Sequence, residues 1–165
     1  IWPTSHWIEL GKLLVKRGAR IVLTGGPDVQ SARDEIAKAL RDDCSHNPVF
    51  GDSLSVEAFC AITQLCSVMV TGDSFGLHLS LLHKTPTVLL LGPSSEKEVV
   101  PKHASHVTSL RSSYPCSPCA YHIFCDGVGG CMDVITPSSV IDAIEDHINQ
   151  LTIIGADTSV RRNNI

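Results

Sequence analysis

Three short apolar runs in this sequence are each followed by a turn of polar or flexible residues. The turns read TGGP (24–27), TGDS (71–74) and LGPS (91–94). If the runs are parallel strands, the turns lie beyond the carboxyl ends of those strands, which is where open parallel sheets bind their ligands. These turns are therefore the candidate binding residues.

The second turn has the most informative chemistry. Asp73 and Ser74 stand where a predicted strand becomes a helix, so unpaired backbone N–H groups and the helix dipole favour an anion such as a diphosphate. Gly76 is expected to leave room above the first turn. His78 is placed to donate to a phosphate oxygen or to orient Asp73. The alternative is that Asp73 and Ser74 only cap the helix and that Gly76 serves packing.

Four of the seven cysteines lie in one stretch with spacings of two, five and five residues, at Cys116, Cys119, Cys125 and Cys131. Four thiolates are enough for a tetrahedral zinc site, but a second CxxC pair would be the more typical spacing. Free thiols or a local disulfide are the alternatives. Redox chemistry of the thioredoxin type is disfavoured because this CxxC follows no strand–helix junction.

The elements that must position these residues alternate between strand-like and helix-like patterns. Strands are predicted at 21–24, 49–50, 68–71, 87–91 and 107–108, and helices at 7–17, 55–64, 74–83 and 137–149. A further helix is expected to be capped by Asp28 and to bury the stripe Ala32, Ile36, Ala39 and Leu40. The strands are continuous apolar runs, as in sheets covered on both faces. This order predicts an α/β fold with a parallel sheet between helices.

One domain is predicted over residues 1–150, including a cysteine-rich loop at 112–134. Residues 151–165 are expected to be a C-terminal tail that frays. The chain begins with a predicted helix, whereas a doubly wound domain has its first strand in mid-sheet, so we expect that first strand to be missing.

Composition excludes several classes of protein. The chain has 165 residues, of which 43% are hydrophobic and 18% charged, which is typical of a globular domain. A net charge of -4 argues against a nucleic-acid-binding face. No apolar run approaches the roughly 20 residues of a transmembrane helix. No signal peptide is visible and the cysteine number is odd, which favours a reducing, cytoplasmic location.

An ordered series of motifs covers most of residues 1–150. It comprises Trp2–Pro3 with Trp7 and Leu10, then IVLTGGP (21–27), LSVE (54–57), DSFGLHL (73–79), TPTVLLLGPS (85–94) and CSPC (116–119). In this order the motifs resemble the carboxyl-terminal domain of the lipopolysaccharide heptosyltransferases, glycosyltransferase family nine. One departure is Phe75–Gly76, where many members have glycine-proline.

The resemblance implies a Rossmann-like domain, the C-terminal half of a GT-B fold, that binds an ADP-sugar, typically ADP-heptose. The residues that would hold the diphosphate and sugar are Asp73, Ser74, Gly76, Leu77 and His78. Those that would shape the nucleotide pocket are Gly25, Gly26, Pro27, Gly92, Pro93 and Ser94. Glu98 matches an acidic position that often follows the GPS turn.

The same resemblance implies a sugar transfer to a lipopolysaccharide-core-like acceptor, bound by an N-terminal domain that also supplies the catalytic base. No catalytic residue is therefore assigned in this chain, and no cofactor is required apart from a possible structural zinc. The expected location is the cytoplasm, including the inner face of the bacterial inner membrane. Neither a nucleic-acid partner nor a transmembrane segment is expected.

Two other functions remain open on the sequence. One is a zinc-binding or redox interaction module built on the loop from Cys116 to Cys131, which metal analysis would reveal. The other is a generic Rossmann-like nucleotide-binding domain without a transferase partner. A comparison of ADP with UDP, GDP and NAD by thermal shift tests this second alternative.

Overall fold

The computed structural model describes residues 1–43, 49–50, 54–120 and 130–162. Its helices are α1 (Thr4–Lys16), α2 (Gln30–Asp43), α3 (Val56–Leu65), α4 (Phe75–His83), α5 (Glu96–Val99) and α6 (Pro137–Arg162). Its strands are β1 (Ile21–Val22), β2 (Val49–Phe50), β3 (Met69–Gly72), β4 (Thr87–Leu91) and β5 (Val107–Arg111). A short 3-10 helix at Pro27–Val29 precedes α2.

All strand pairs in the described residues are parallel, which confirms the predicted sheet type. β4 lies between β3 and β5, and β1 pairs with β2 in a separate two-stranded sheet. In the larger sheet Met69 lies opposite Thr87, and Thr87 lies opposite Val107. The carboxyl ends of β3, β4 and β5 therefore lie along one edge, and their amino ends along the opposite edge.

β4 is the centre of the larger sheet, and every residue in it is buried. Val88 and Leu90 pack into a core with residues of α1 and α6. Leu89 and Leu91 point to the other face and pack against Leu77 of α4. Helices thus cover both faces, which is why this strand reads as a continuous apolar run instead of an alternating one.

Trp2 has a structural role in this fold. Its side chain is only 3% exposed, and its indole Nε1 donates to Ile135 O at 2.7 Å. Its ring also meets that of Trp7 edge to face, with centroids 4.7 Å apart. Trp2 of the WP motif therefore connects the start of α1 to the segment before α6.

Three local predictions differ from the structure. Asp28 does not stand at the amino-terminal cap of α2, because it lies inside the 3-10 helix Pro27–Val29 that directly precedes α2. The short helix α5 was not predicted. α6 continues to Arg162, beyond the predicted end at 149, and Thr152 Oγ1 donates back to Ile148 O within it. The described part of the tail, up to Arg162, is therefore helical, and no proline interrupts it.

No helix within the described ranges combines the length and apolar character that crossing a membrane requires.

Candidate functional site

One short hydrogen bond joins the turns after β3 and β4. Ser94 Oγ donates to Asp73 Oδ2 at 2.6 Å, although the two residues are 21 positions apart in the chain. The register makes this possible, because Gly72 at the end of β3 lies opposite Leu90 in β4. The structure thus brings two of the three predicted turns together at one edge of the sheet.

Ser74 closes the amino-terminal end of α4. Its Oγ accepts a hydrogen bond from the amide of Gly76 at 3.3 Å, and its carbonyl accepts one from the amide of Leu77 at 3.0 Å. Thr71 Oγ1 lies 3.0 Å from Ser74 Oγ and holds the serine against the end of β3. The amides of Gly76 and Leu77, which the sequence predicted to be unpaired, thus have partners within the turn.

Gly76 makes room for the protein's own side chains. A Cβ at this position would lie 2.6 Å from Met69 Cε, 3.0 Å from Thr71 Oγ1 and 3.4 Å from Phe59 Cζ. The expectation that Gly76 leaves space for a ligand above the first turn is therefore wrong. The glycine allows α4 to approach β3 and α3 closely, so the packing interpretation holds for this residue.

His78 and Glu98 are both exposed, and neither makes a side-chain hydrogen bond to Asp73 in the described part of the chain. His78 lies one helical turn after Ser74 and on the same face of α4. Glu98 lies in α5, directly after the turn that contains Ser94. The role of orienting Asp73, which was one expectation for His78, belongs to Ser94.

A buried arginine supports the first turn. Gly25, Gly26 and Pro27 are exposed, but Arg33 is only 5% exposed and its Nη1 donates to Gly25 O at 3.0 Å. Arg33 Nε is also buried and has no hydrogen-bond partner among the described residues. The turn is compact, since a Cβ on Gly25 would lie 2.5 Å from Val29 Cγ2. The buried guanidinium of Arg33 therefore contacts the backbone of this turn on its side facing the protein interior.

Sequence reasoning missed Arg33 because only apolar residues were sought on α2. The buried face consists of Arg33, Ile36, Ala37 and Leu40, which confirms Ile36 and Leu40 of the predicted stripe, whereas Ala32 and Ala39 are only half-buried. The spacing of i, i+3, i+4 and i+7 was the available signal, since it places a charged residue on the apolar face of a helix. A buried cation in such a position needs polar partners, and the Gly25 carbonyl is one.

The cysteine-rich segment packs on the third turn. Ser117 Oγ donates to Gly92 O at 3.2 Å, and Ala120 N donates to Pro93 O at 2.9 Å. A Cβ on Gly92 would lie 3.0 Å from Met132 Sδ and 3.4 Å from Cys131 Sγ. The two features that the sequence presented as rival sites are therefore in contact with each other.

The zinc site stays a prediction. Cys116 and Cys119 are free thiols, and no three potential metal ligands are grouped together within the residues that the structure describes. Cys125, the fourth predicted ligand, lies outside the described residues, as does Cys44. A site built from Cys116, Cys119 and Cys131 alone is therefore not formed in this structure.

Two clefts lie around the loop between α5 and β5 and enclose about 230 and 470 Å³. Neither of them is lined by Asp73, Ser74, Gly76 or His78. Asp73, Ser74 and His78 are exposed and Gly76 is buried. That these four residues line a donor pocket stays a prediction.

The arrangement defines an α/β domain with helices on both faces of a parallel sheet, and its polar turns lie at the carboxyl ends of the strands, where open parallel sheets bind ligands. The family model for glycosyltransferase family 9 (heptosyltransferase) matches residues 1–123. The chain therefore belongs to glycosyltransferase family 9.

Curated relatives agree with this assignment. The chain is 30% identical over 118 residues to lipopolysaccharide heptosyltransferase 2 of Salmonella typhimurium. The aligned region covers 68% of this chain and 33% of the relative. It is 32% identical to the Escherichia coli K12 enzyme of the same name, with the same coverage. The chain thus spans about a third of the length of these relatives.

Solved structures show the fold of one half of a GT-B enzyme. The structure of Escherichia coli ADP-heptose lps heptosyltransferase II matches 92% of this chain and 43% of its own, with a TM-score of 0.71 and 24% identity. That of Escherichia coli heptosyltransferase WaaC with ADP matches 88% of this chain and 39% of its own, with a TM-score of 0.65 and 22% identity.

Proposed function

We propose that this chain is the donor-binding domain of a heptosyltransferase that moves heptose from ADP-heptose to a lipopolysaccharide-type acceptor. The observation that carries the proposal is the bond between Ser94 and Asp73, which joins two strand ends into one polar surface. Family membership and the names of the relatives support the donor and the acceptor class.

In this proposal the diphosphate lies at the amino-terminal end of α4. The helix dipole and the amides of the first turn would stabilise the negative charge that grows on the leaving group as the sugar departs. The Gly76 amide already donates to the Ser74 hydroxyl. The diphosphate would either displace this hydroxyl from the amide or accept a hydrogen bond from the hydroxyl. His78, on the same face of α4, is placed to donate to an outer phosphate oxygen.

Asp73 would accept hydrogen bonds from hydroxyl groups of the donor sugar. Ser94 fixes one carboxylate oxygen and leaves the other available, so the orientation of Asp73 does not depend on the ligand. A preoriented acceptor of this kind costs little to order on binding. The turns at Gly25–Pro27 and Gly92–Ser94 would shape the nucleotide pocket, with Arg33 and Ser117 supporting their backbones.

We place the catalytic base and the acceptor site outside these 165 residues, in the part of the relatives that this chain does not match. Inverting sugar transfer needs a base to remove the acceptor proton. Asp73 is a poor choice for it, since its carboxylate is held by Ser94 at the donor turn. The isolated chain is then inactive. We further propose that the reaction needs no cofactor and takes place in the cytoplasm at the inner face of the inner membrane.

The test is calorimetric titration of the complete protein with ADP and with ADP-heptose. Asp73→Ala should weaken ADP-heptose binding about tenfold and ADP binding much less, because the lost hydrogen bonds are to the sugar. Ser94→Ala should give a smaller loss in the same direction. Ser95→Ala is the matched control, since the Ser95 side chain makes no capping bond. Unchanged ADP-heptose affinity and turnover in Asp73→Ala would refute the assignment.

A further inference from the structure

A cleft at the amino-terminal edge of the sheet is not used by the proposed donor site. It encloses about 230 Å³ and is lined by Leu81, Lys84, Pro101, His103, Ala104, Ser105 and His106. Three of these lining residues are lysine or histidine, and none of the seven is aspartate or glutamate. The cleft therefore has a single sign of charge whenever its histidines are protonated.

The cleft is remote from the donor turns. Lys84 follows the last residue of α4, and the amide of Thr87, at the start of β4, donates to His106 O at 2.8 Å. A strand of five residues spans about 13 Å, and the donor turn lies beyond its far end. A ligand in this cleft would therefore be separated from the donor site by the length of the sheet.

Lys84 is held in a backbone conformation that lysine rarely adopts. Its φ is 55°, in the left-handed region, and its amide donates to Ser80 O to end α4. Glycine is the usual residue at such a helix end because a Cβ is unfavourable there. The sequence therefore keeps a cation at the cleft where glycine would suit the backbone better.

His106 has a buried ring nitrogen with nothing to bind. Nε2 is inaccessible to solvent and has no hydrogen-bond partner among the described residues. Burial lowers the pKa of His106 from its ordinary 6.5, and the positive charges of Lys84, His147 and His103 lower it further. These neighbours come from the end of α4, from α6 and from the same loop, so no described element packed against the ring brings it a carboxylate.

We propose that this cleft binds a phosphate-class oxyanion, with Lys84 and His103 at its opening and His106 Nε2 as a donor deeper inside. An anion would give the orphaned nitrogen an acceptor and would offset the repulsion among the cations. Hydrogen bonds between ionised partners are roughly twice as strong as neutral ones. The phosphate is carried either by a free phosphate ester or by a lipid headgroup.

The first test is a titration of the complete protein with inorganic phosphate, followed through the ring resonances of His106 by NMR. The expected result is a saturable shift of His106, with affinity that rises as pH falls, because the protonated ring is the better partner for an anion. Absence of a saturable shift at any pH at which the protein is folded overturns the proposal.

Variants then locate the site. Lys84→Asn removes the charge with a residue that tolerates the left-handed conformation, and His103→Gln removes the second cation from an exposed position. Each should weaken phosphate binding about tenfold. Lys97→Gln is the matched control, because Lys97 lines only the neighbouring cleft, and it should change the affinity less than about twofold. Equal affinity in all three variants and the unaltered protein rejects the site.

A comparison of two phosphate sources identifies the ligand. Sedimentation with phosphatidylcholine vesicles, with and without phosphatidylglycerol, tests the headgroup, and titration with glycerol phosphate tests the free ester. Vesicle binding that needs phosphatidylglycerol and is lost in Lys84→Asn assigns the cleft to a lipid surface. Saturable binding of glycerol phosphate without vesicle binding assigns it to a free ester. If Lys84→Asn alters neither the binding to vesicles nor the binding of glycerol phosphate, the proposal fails.

Discussion

The two ends of the β3–β4–β5 sheet use their polar residues in opposite ways. At the carboxyl end, the bond between Asp73 and Ser94 lies at an exposed position. At the amino end, Thr85 Oγ1 donates to Thr63 O and Thr87 Oγ1 donates to Thr85 O, both at 2.7 Å and both buried. The first end leaves polar atoms exposed to solvent, whereas these threonines at the second end hold α3, α4 and β4 together.

This difference predicts which changes affect folding and which affect binding. Removing a buried hydrogen-bond partner leaves the other group unsatisfied and costs stability. Removing an exposed partner leaves a group that water can reach, so the cost appears only when a ligand needs that group. Gly72 and Gly76, at the carboxyl end, test whether close packing also limits stability at this end of the sheet.

The largest effect on stability is expected for Gly76→Val. The new side chain would meet Met69 and Thr71 in a space that is already filled, which should lower the free energy of unfolding by about 2–3 kcal/mol. Gly72→Ala is the control at the same end of the sheet, since the nearest atom to its Cβ is Leu90 O at 3.8 Å. Urea unfolding of both variants checks this. Equal stability in the two would show that Gly76 does not limit packing.

The second largest effect on stability is expected for Thr85→Val. Its free energy of unfolding should fall by about 1–2 kcal/mol, with no change in ADP affinity. Valine nearly preserves the shape of threonine but removes the buried donor at 2.7 Å from the Thr63 carbonyl, which keeps only the weak thiol donor of Cys66 at 3.4 Å. Thermal unfolding and ADP titration measure the two quantities separately. A stable Thr85→Val protein with weakened ADP binding would contradict the division between the two ends.

A smaller effect should appear in the pH dependence of stability. The lowered pKa of His106 means that the unfolded chain takes up this proton at a higher pH than the folded one. Stability is therefore complete above the ordinary pKa of 6.5 and falls as the pH drops below it. His106→Gln should lose less stability between neutral and mildly acidic pH than the unaltered protein in urea unfolding. An unchanged pH profile would show that His106 makes no such contribution.

The reactivity of two thiols should differ without any effect on folding. Burial raises the pKa of the Cys66 thiol, and its Sγ donates to Thr63 O at 3.4 Å, whereas Cys116 is exposed. Iodoacetamide at neutral pH should therefore modify Cys116 first, because the thiolate is the reactive form. Mass spectrometry of timed samples gives the order. Faster labelling of Cys66 would mean that the amino end of the sheet opens readily.

The smallest effect on stability is expected for Ser94→Ala, below about 0.5 kcal/mol, because the lost bond lies at an exposed position. The same variant should still weaken ADP-heptose binding. A large loss of stability instead would make the carboxyl end a structural feature like the amino end.

The sequence by itself determined the parallel strands and most of the helices. Continuous apolar runs identified β3 and β4 because a strand covered on both faces has no polar side to show. Local capping was readable at two helix starts, where Ser55 Oγ accepts from Ala58 N and Thr136 Oγ1 accepts from Ser139 N. It was misread at Asp28, which lies in a 3-10 helix before α2. Each of these signals lies within a few residues of its effect.

Only the tertiary structure decided how the candidate site is assembled. Ser94 reaches Asp73 across 21 residues, and Ser117 reaches Gly92 across 25, because neighbouring strand ends and the cysteine-rich segment converge on one edge. No local pattern encodes such distances. The same holds for Gly76, whose role depends on side chains from β3 and α3 that pack against α4, and for the cleft at Lys84 and His106, which exists because a parallel sheet brings separate loops to its opposite end.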